Sequence, residues 1–344
     1  MTGRGAIRET TERMMQTVGQ SGHVVSDRVR VFAPQSSASL ASAIAQELGV
    51  ALATSEEREF DGGEHKMRPL RDVRGCDVYV VHSLFGEVDA SANDKLCRLL
   101  FFIGALRDAG AARVTACIPY LCYARKDRRT QPHDPVTTRY VAAMFEAAGV
   151  DRLVVLDVHN EAAFDNAFRC ETIRLEAAAV FAQELARVME TTSQLSVLSP
   201  DIGGVKRAQR LRDVLARRFA HDVGFGFMEK RREKGVVSGE MLIGAIADRD
   251  ILIFDDLIAS GTTILRATEA ARRAGARSVR AAATHAAFTP EAMQLFADSG
   301  PDVVLVSDSV RTPPEFGQAA AAGRLNVCGI AGLFAAAIAE LAMR

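Results

Sequence analysis

Two carboxylates stand side by side at the end of an apolar run, in Ile251-Leu-Ile-Phe-Asp255-Asp256-Leu-Ile-Ala-Ser260-Gly261-Thr262-Thr263. The run reads as a strand that turns through small, hydroxyl-bearing residues into a helix. Backbone N–H groups of such a turn, added to a helix N-terminus, form a cradle for phosphate. The hydroxyls of Ser260, Thr262 and Thr263 can donate to the same oxygens. The carboxylates cannot bind that phosphate, but they can accept hydrogen bonds from vicinal ribose hydroxyls, directly or through Mg2+. The implied ligand has a phosphate at one end and a diol at the other. The alternative use of an Asp-Asp pair before a glycine-containing turn is a plain helix cap. A second reactive stretch is Tyr123-Ala-Arg125-Lys126-Asp127-Arg128-Arg129, where four basic residues in five positions surround one Asp. Such a run suits a triphosphate, with Arg125 and Arg128 as multi-donor partners. It follows an apolar run ending at Pro119-Tyr120, which argues for a strand end over a merely solvated face.

Loops of this kind need strands to present them. Short β-branched runs recur at Val29–Ala33, Val78–His82, Arg113–Pro119, Arg152–Val158, Ser196–Ser199, Ile251–Asp255, Ser278–Thr284 and Val303–Ser307. Between them, Ser39–Leu48, Asp94–Ala109, Thr137–Ala148, Glu176–Val188, Ile264–Ala274 and Pro290–Ala297 space their apolar residues as helices do. Alternating strand and helix predicts parallel α/β layers, with ligands beyond the carboxyl ends of the strands. Gly49, Gly110, Gly149 and Gly275 read as helix stops. At 344 residues the chain is long enough for two domains of roughly 100–200 residues each. The boundary is placed near residue 170, where Phe164–Glu171 loses its periodicity. The Gly317–Gly323 stretch leads to a final strand-helix unit.

Lys and Arg number 42 against 43 Asp and Glu, a net charge of -1. That balance argues against a nucleic-acid or membrane-surface partner. No charge-free apolar run reaches the roughly 20 residues of a membrane span, and residues 1–26 read as a flexible extension without a signal core. The six cysteines are scattered with no C-x-x-C pair, as expected of buried thiols in a reducing cytoplasm.

From Val29 to the C-terminus the chain resembles the ribose-phosphate diphosphokinase (phosphoribosyl-diphosphate synthetase) family. Phe60-Asp-Gly-Gly-Glu64 is similar to the family's Phe-x-Asp-Gly-Glu turn, with Gly62 in place of the usual acidic or amide residue. Tyr123–Arg129, followed by Asp134-Pro-Val-Thr137, is similar to Tyr-Ala-Arg-Gln-Asp-Arg-Lys and its Pro-Ile-Thr helix start, with Lys126 replacing Gln. Asp157-Val-His159 resembles Asp-Leu-His, although Asn160-Glu-Ala departs from Ala-Pro-Gln. Ser199-Pro-Asp201-Ile-Gly203-Gly204-Val resembles Ser-Pro-Asp-x-Gly-Gly. Glu229-Lys230-Arg231-Arg232 resembles the family's catalytic Lys-Arg-Arg loop.

The resemblance implies two phosphoribosyltransferase-like domains, each a mostly parallel sheet flanked by helices. Residues 27–170 would bind nucleotide and 171–311 ribose 5-phosphate, while 312–344 would pack back on the N-terminal domain. It implies attack of the C1 hydroxyl of ribose 5-phosphate on the β-phosphorus of MgATP, giving 5-phosphoribosyl 1-diphosphate and AMP. Lys230 and Arg232 are then catalytic, and Phe60, Glu64, Arg125, Lys126 and Arg128 bind ATP. Asp255, Asp256, Ser260, Gly261, Thr262 and Thr263 bind ribose 5-phosphate, and His159 and Asp201 hold Mg2+. The family also implies a homo-oligomer built from dimers, commonly a hexamer. Two rival readings are a phosphoribosyltransferase, which the wording Ala259–Thr263 favours, and a non-catalytic synthetase-like regulatory subunit.

Overall fold

Strands buried on both faces need cover on both, which is the requirement of a parallel sheet inside layers of helix. β4 (Asp77–Val81), β6 (Arg152–Leu156) and β8 (Leu195–Ser199) below are buried at every position. The computed structural model describes residues 27–188, 194–233 and 236–344, the side chains of 230–240 excepted. The expected extension 1–26 lies outside the described residues. The remaining strands are β1 (Val29–Phe32), β2 (Ser55–Glu59), β3 (His65–Pro69), β5 (Arg113–Ile118), β7 (Glu171–Leu175), β9 (Gly224–Glu233), β10 (Val236–Gly244), β11 (Asp250–Leu257), β12 (Ser278–His285), β13 (Val303–Ser307) and β14 (Leu325–Cys328). The helices are α1 (Ala38–Glu47), α2 (Ala92–Asp108), α3 (Thr137–Ala147), α4 (Glu161–Ala167), α5 (Ala178–Val188), α6 (Val205–Phe219), α7 (Thr262–Arg273), α8 (Gly317–Ala321) and α9 (Ala331–Ala342).

The chain forms two units, one running to Glu176 and including Ile330–Arg344, the other Ala177–Gly329. In the first, a parallel sheet has the order β1-β4-β5-β6-β7, and the antiparallel hairpin β2-β3 packs on α2. Its core gathers Phe32, Phe102, Phe145 and Phe164. In the second, the sheet order is β10-β9-β8-β11-β12-β13-β14, parallel except for the β9–β10 pair. Its core includes Ile253, Ile264, Leu295 and Phe316.

Two boundaries differ from the sequence reading. β7 belongs to the first unit because it pairs with β6 from Arg152↔Glu171 to Leu156↔Leu175. Residues 312–329 stay in the second because β14 pairs with β13. From residue 330 onward the chain belongs to the first unit, where α9 packs on α1 and Arg152 Nη1 donates to the Leu341 carbonyl at 3.3 Å. The Pro290–Ala297 helix is a 3-10 helix, Pro290–Phe296. Cys97, expected inside, is exposed on α2; all six cysteines are free thiols. Among the described residues no helix is long and apolar enough to cross a membrane.

Candidate active site

In the second unit, β8 and β11 run side by side with Leu198 opposite Ile253. Their parallel pairing puts the turn after Ser199 beside the acidic end of β11. Ser199 Oγ donates to the Asp201 carbonyl at 2.7 Å, and Asp201 Oδ1 accepts from Gly204 N at 2.8 Å. Gly204 is the point of closest approach. A Cβ there would lie 2.9 Å from Ser199 Oγ, 3.6 Å from Asp201 Oδ1 and 3.9 Å from Asp255 Oδ1. The turn that carries Asp201, the expected metal ligand, and the acidic end of β11, expected to bind the sugar, therefore lie close together at this residue.

Asp255 and Asp256 are mostly buried, with side chains 17% and 7% exposed. Arg207, three residues into α6, places Nη1 3.4 Å from Oδ1 of each. One cation thus faces two carboxylates. Burial foremost, then the neighbouring Asp256, pushes the Asp255 carboxyl up to about 8, against the pull of Arg207. Asp255 Oδ1 also accepts from Asp256 N at 2.8 Å. The pair does not cap α7: the N-cap is Gly261, at φ +79°, with no side-chain cap. Thr262 N, the first of α7, reaches Ser260 Oγ at 3.5 Å, a long contact that an anion bound at the helix start could replace. Ser260 Oγ and Thr262 Oγ1 lie 3.0 Å apart, and Thr262 and Thr263 are exposed. A Cβ on Gly261 would meet Leu295 Cγ at 2.7 Å, so both the backbone conformation and the packing call for glycine.

In the first unit, β5 and β6 end together, with Ile118 opposite Val155. The loop after β5 carries Arg125, Lys126 and Arg128. Lys126 does not point its charge outward alone: Nζ pairs with Asp134 Oδ2 at 2.7 Å. That oxygen also accepts from Thr130 N at 2.9 Å, Thr130 Oγ1 at 2.7 Å and Gln131 N at 3.0 Å. The Lys126 bond, then those from Thr130, hold the Asp134 carboxyl well below the usual carboxylate range. Arg125 and Arg128 are both exposed. Beyond β6, Asp157 takes φ +39° and His159 is exposed. Asn160 caps α4, its Oδ1 accepting from Ala163 N at 3.2 Å, and its Nδ2 donates to Asp127 Oδ2 at 2.7 Å.

Phe60 and Glu64 close the β2–β3 hairpin, where Phe60 N donates to the Glu64 carbonyl at 2.8 Å. Phe60 is 40% exposed and carries the Arg58 guanidinium 4.9 Å from its ring centroid. It is a surface ring, open to stacking, and not a core anchor. Lys230 and Arg232 fall on β9, opposite Glu240 and Val237 of β10. Their side chains lie outside the described residues.

Arg207 escaped the sequence reading because its helix is rich in arginine and nothing in its spacing marks one of them. The one signal was position, a single turn past the Gly203-Gly204 pair. Among the described residues no group of three or more His, Cys, Asp or Glu could hold a metal ion. The donors available are carboxylate oxygens in ones and twos. That set suits Mg2+, which keeps waters and substrate oxygens in its shell, better than a metal needing an all-protein cage.

Two α/β units, one with a carboxylate pair beside a glycine-led helix start, are the architecture of the phosphoribosyl-handling enzymes that the chain matches. Residues 29–149 match the N-terminal domain of ribose phosphate pyrophosphokinase, and 174–308 the phosphoribosyl transferase domain. The chain is 33% identical over 315 residues to the ribose-phosphate pyrophosphokinase of Haemophilus influenzae, covering 91% of this chain and 96% of that one. It is 35% identical over 316 residues to the Vibrio vulnificus enzyme of the same name, with the same coverage. The crystal structure of phosphoribosylpyrophosphate synthetase from Mycobacterium smegmatis superposes with a TM-score of 0.78 at 28% identity, covering 92% of this chain and 99% of that one. The chain belongs to the ribose-phosphate pyrophosphokinase family.

Proposed function

We propose that this enzyme transfers the diphosphoryl group of ATP to the C1 hydroxyl of ribose 5-phosphate, releasing AMP and forming 5-phosphoribosyl 1-diphosphate. The observation that carries the reading is the acidic pair Asp255–Asp256 between the Ser199–Gly204 turn and the uncapped start of α7. A phosphate and a vicinal diol are what such a surface binds.

The second unit takes the acceptor. Ser260, Gly261, Thr262 and Thr263 hold the 5-phosphate through backbone and hydroxyl donors, and Asp255 and Asp256 accept from the 2- and 3-hydroxyls. Arg207 keeps the two carboxylates together when the sugar is absent. The first unit takes the donor, with Arg125 and Arg128 on the phosphates and Phe60 and Glu64 at the nucleoside end. Lys126, tied to Asp134, holds the shape of the loop. The reaction needs alignment and charge neutralisation more than a strong base, which suits a site rich in arginine and lysine. Lys230 and Arg232 would stabilise charge on the moving group. Asp201 in the second unit and His159 in the first are each a candidate ligand for Mg2+, which would supply charge neutralisation at phosphate oxygens.

The six free thiols support a cytoplasmic location. Exposed apolar side chains at Phe101, Tyr140 and Met144 support a dimer-based homo-oligomer. The test is a donor and acceptor screen with mass detection. ATP, ribose 5-phosphate and Mg2+ should yield AMP and 5-phosphoribosyl 1-diphosphate in equal amounts, and ADP with a ribose bisphosphate would overturn the reading.

A further inference from the structure

The basic loop after β5 is fastened at two consecutive residues. Lys126 is held by Asp134 at 2.7 Å, and Asp127 is held by Asn160 at 2.7 Å. The residues on either side of this fastened pair, Arg125 and Arg128, are both exposed. Asn160 follows His159 directly and sits at the head of α4. Its carboxamide works at both ends: the oxygen caps the helix, and the nitrogen reaches across to Asp127. An alanine could do neither, and an aspartate could cap but would set two carboxylates against each other.

We infer that Asn160 is a positioning residue: through Asp127 it ties the arginine-bearing loop to the strand-end turn of His159 and so sets where Arg125 and Arg128 stand to meet the nucleotide phosphates. The inference rests on the donor reading given above. It concerns the loop's placement and not the chemistry, so the variants should change nucleotide affinity more than turnover.

The decisive variants are Asn160→Asp, the partner change Asp127→Asn, and the two combined. Asn160→Asp retains a good helix cap while turning the cross-loop hydrogen bond into a repulsion. The double variant restores a bond of reversed polarity, with the carboxamide now at position 127 donating to the carboxylate now at position 160. ATP affinity is read by calorimetry, which needs no turnover, alongside steady-state kinetics with ribose 5-phosphate saturating. Asn160→Asp should weaken ATP binding and raise its KM about 5- to 10-fold, in line with loss of one exposed hydrogen bond, with kcat changing less than about 2-fold. The swap should bring both constants back to within about 2-fold of wild type. A double variant no better than Asn160→Asp, or an unchanged ATP affinity in Asn160→Asp, would overturn the inference. A wild-type chain that binds ATP but releases no AMP would instead count against the proposed reaction and leave the binding comparison to judge the clamp. Wild-type protein that fails to bind ATP at all would sink both.

Discussion

Arg207 Nη1 lies 3.4 Å from Asp255 Oδ1, an arginine on α6 facing a carboxylate at the end of β11. The same nitrogen is equally far from Asp256. Removing it leaves two buried carboxylates without the cation they share. Breaking a buried pair on one side typically costs about 3–5 kcal/mol; the partial exposure here lowers that to roughly 2. Arg207→Gln should therefore lose about 2 kcal/mol in urea denaturation and raise the KM for ribose 5-phosphate at least 10-fold. The KM for ATP should stay within about 2-fold, and Lys should rescue in part.

The pH response follows from Asp255. Its carboxyl ordinarily titrates near 3.8 and is raised to about 8 in the fold by burial and by Asp256, with Arg207 opposing. The folded state thus holds a proton that the unfolded chain releases. The stability this contributes is complete below about 3.8 and is lost as pH rises through 8. Thermal melts without ligand should show Tm falling between pH 5 and 8, and the slope should flatten in Asp255→Asn. Ribose 5-phosphate affinity should move the opposite way, rising toward pH 8 as the carboxylate becomes a full acceptor for the diol.

Gly261 is required on two counts. Its φ of +79° costs an ordinary residue about 1–2 kcal/mol, and a Cβ would press on Leu295, with overpacking worth roughly 1–3 kcal/mol more. Gly261→Ala should destabilise the protein by about 2–5 kcal/mol in chemical denaturation and weaken 5-phosphate binding along with it.

Lys126 and Arg125 should separate cleanly. Because Lys126 is engaged with Asp134, Lys126→Gln should change ATP affinity less than about 3-fold. Arg125→Ala, which removes an exposed multi-donor head, should cost 10-fold or more. Isothermal titration of each variant with ATP measures the difference, and equal losses would return Lys126 to the phosphates.

Lys230 is argued from its place in the Lys-Arg-Arg motif on β9. Lys230→Ala should lower kcat roughly 10²-fold while substrate binding moves little. A raised KM at unchanged kcat would make it a binding group only.

The legible parts of this fold are those written in apolar period. β13 spans the expected Val303–Ser307, and β4, β6 and β11 agree to within a residue or two at each end. The hairpin β2–β3 was missed because Ser-Glu-Glu-Arg-Glu and His-Lys-Met-Arg-Pro present almost no buried face; one residue of the ten, Met67, is buried. β7 shows no apolar period for the same reason, since Leu175 alone is buried in it, and the sequence reading leaves it without a strand at the start of the expected second domain. Within the site, the phosphate cradle and acidic pair could be found because glycine, hydroxyl and carboxylate residues are contiguous in sequence. Arg207, 48 residues before Asp255, reaches the pair only through the adjacency of β8 and β11. Lys126 and Asn160 could be recognised as departures from the family pattern, but their partners Asp134 and Asp127 belong to tertiary geometry.

The most direct measurement follows one atom. With ATP labelled at the β-phosphorus, ribose 5-phosphate and Mg2+, the label should leave the nucleotide and appear in 5-phosphoribosyl 1-diphosphate, with unlabelled AMP formed in step. Label retained in ADP, or left in ATP while the protein joins a base to added 5-phosphoribosyl 1-diphosphate, would contradict the account.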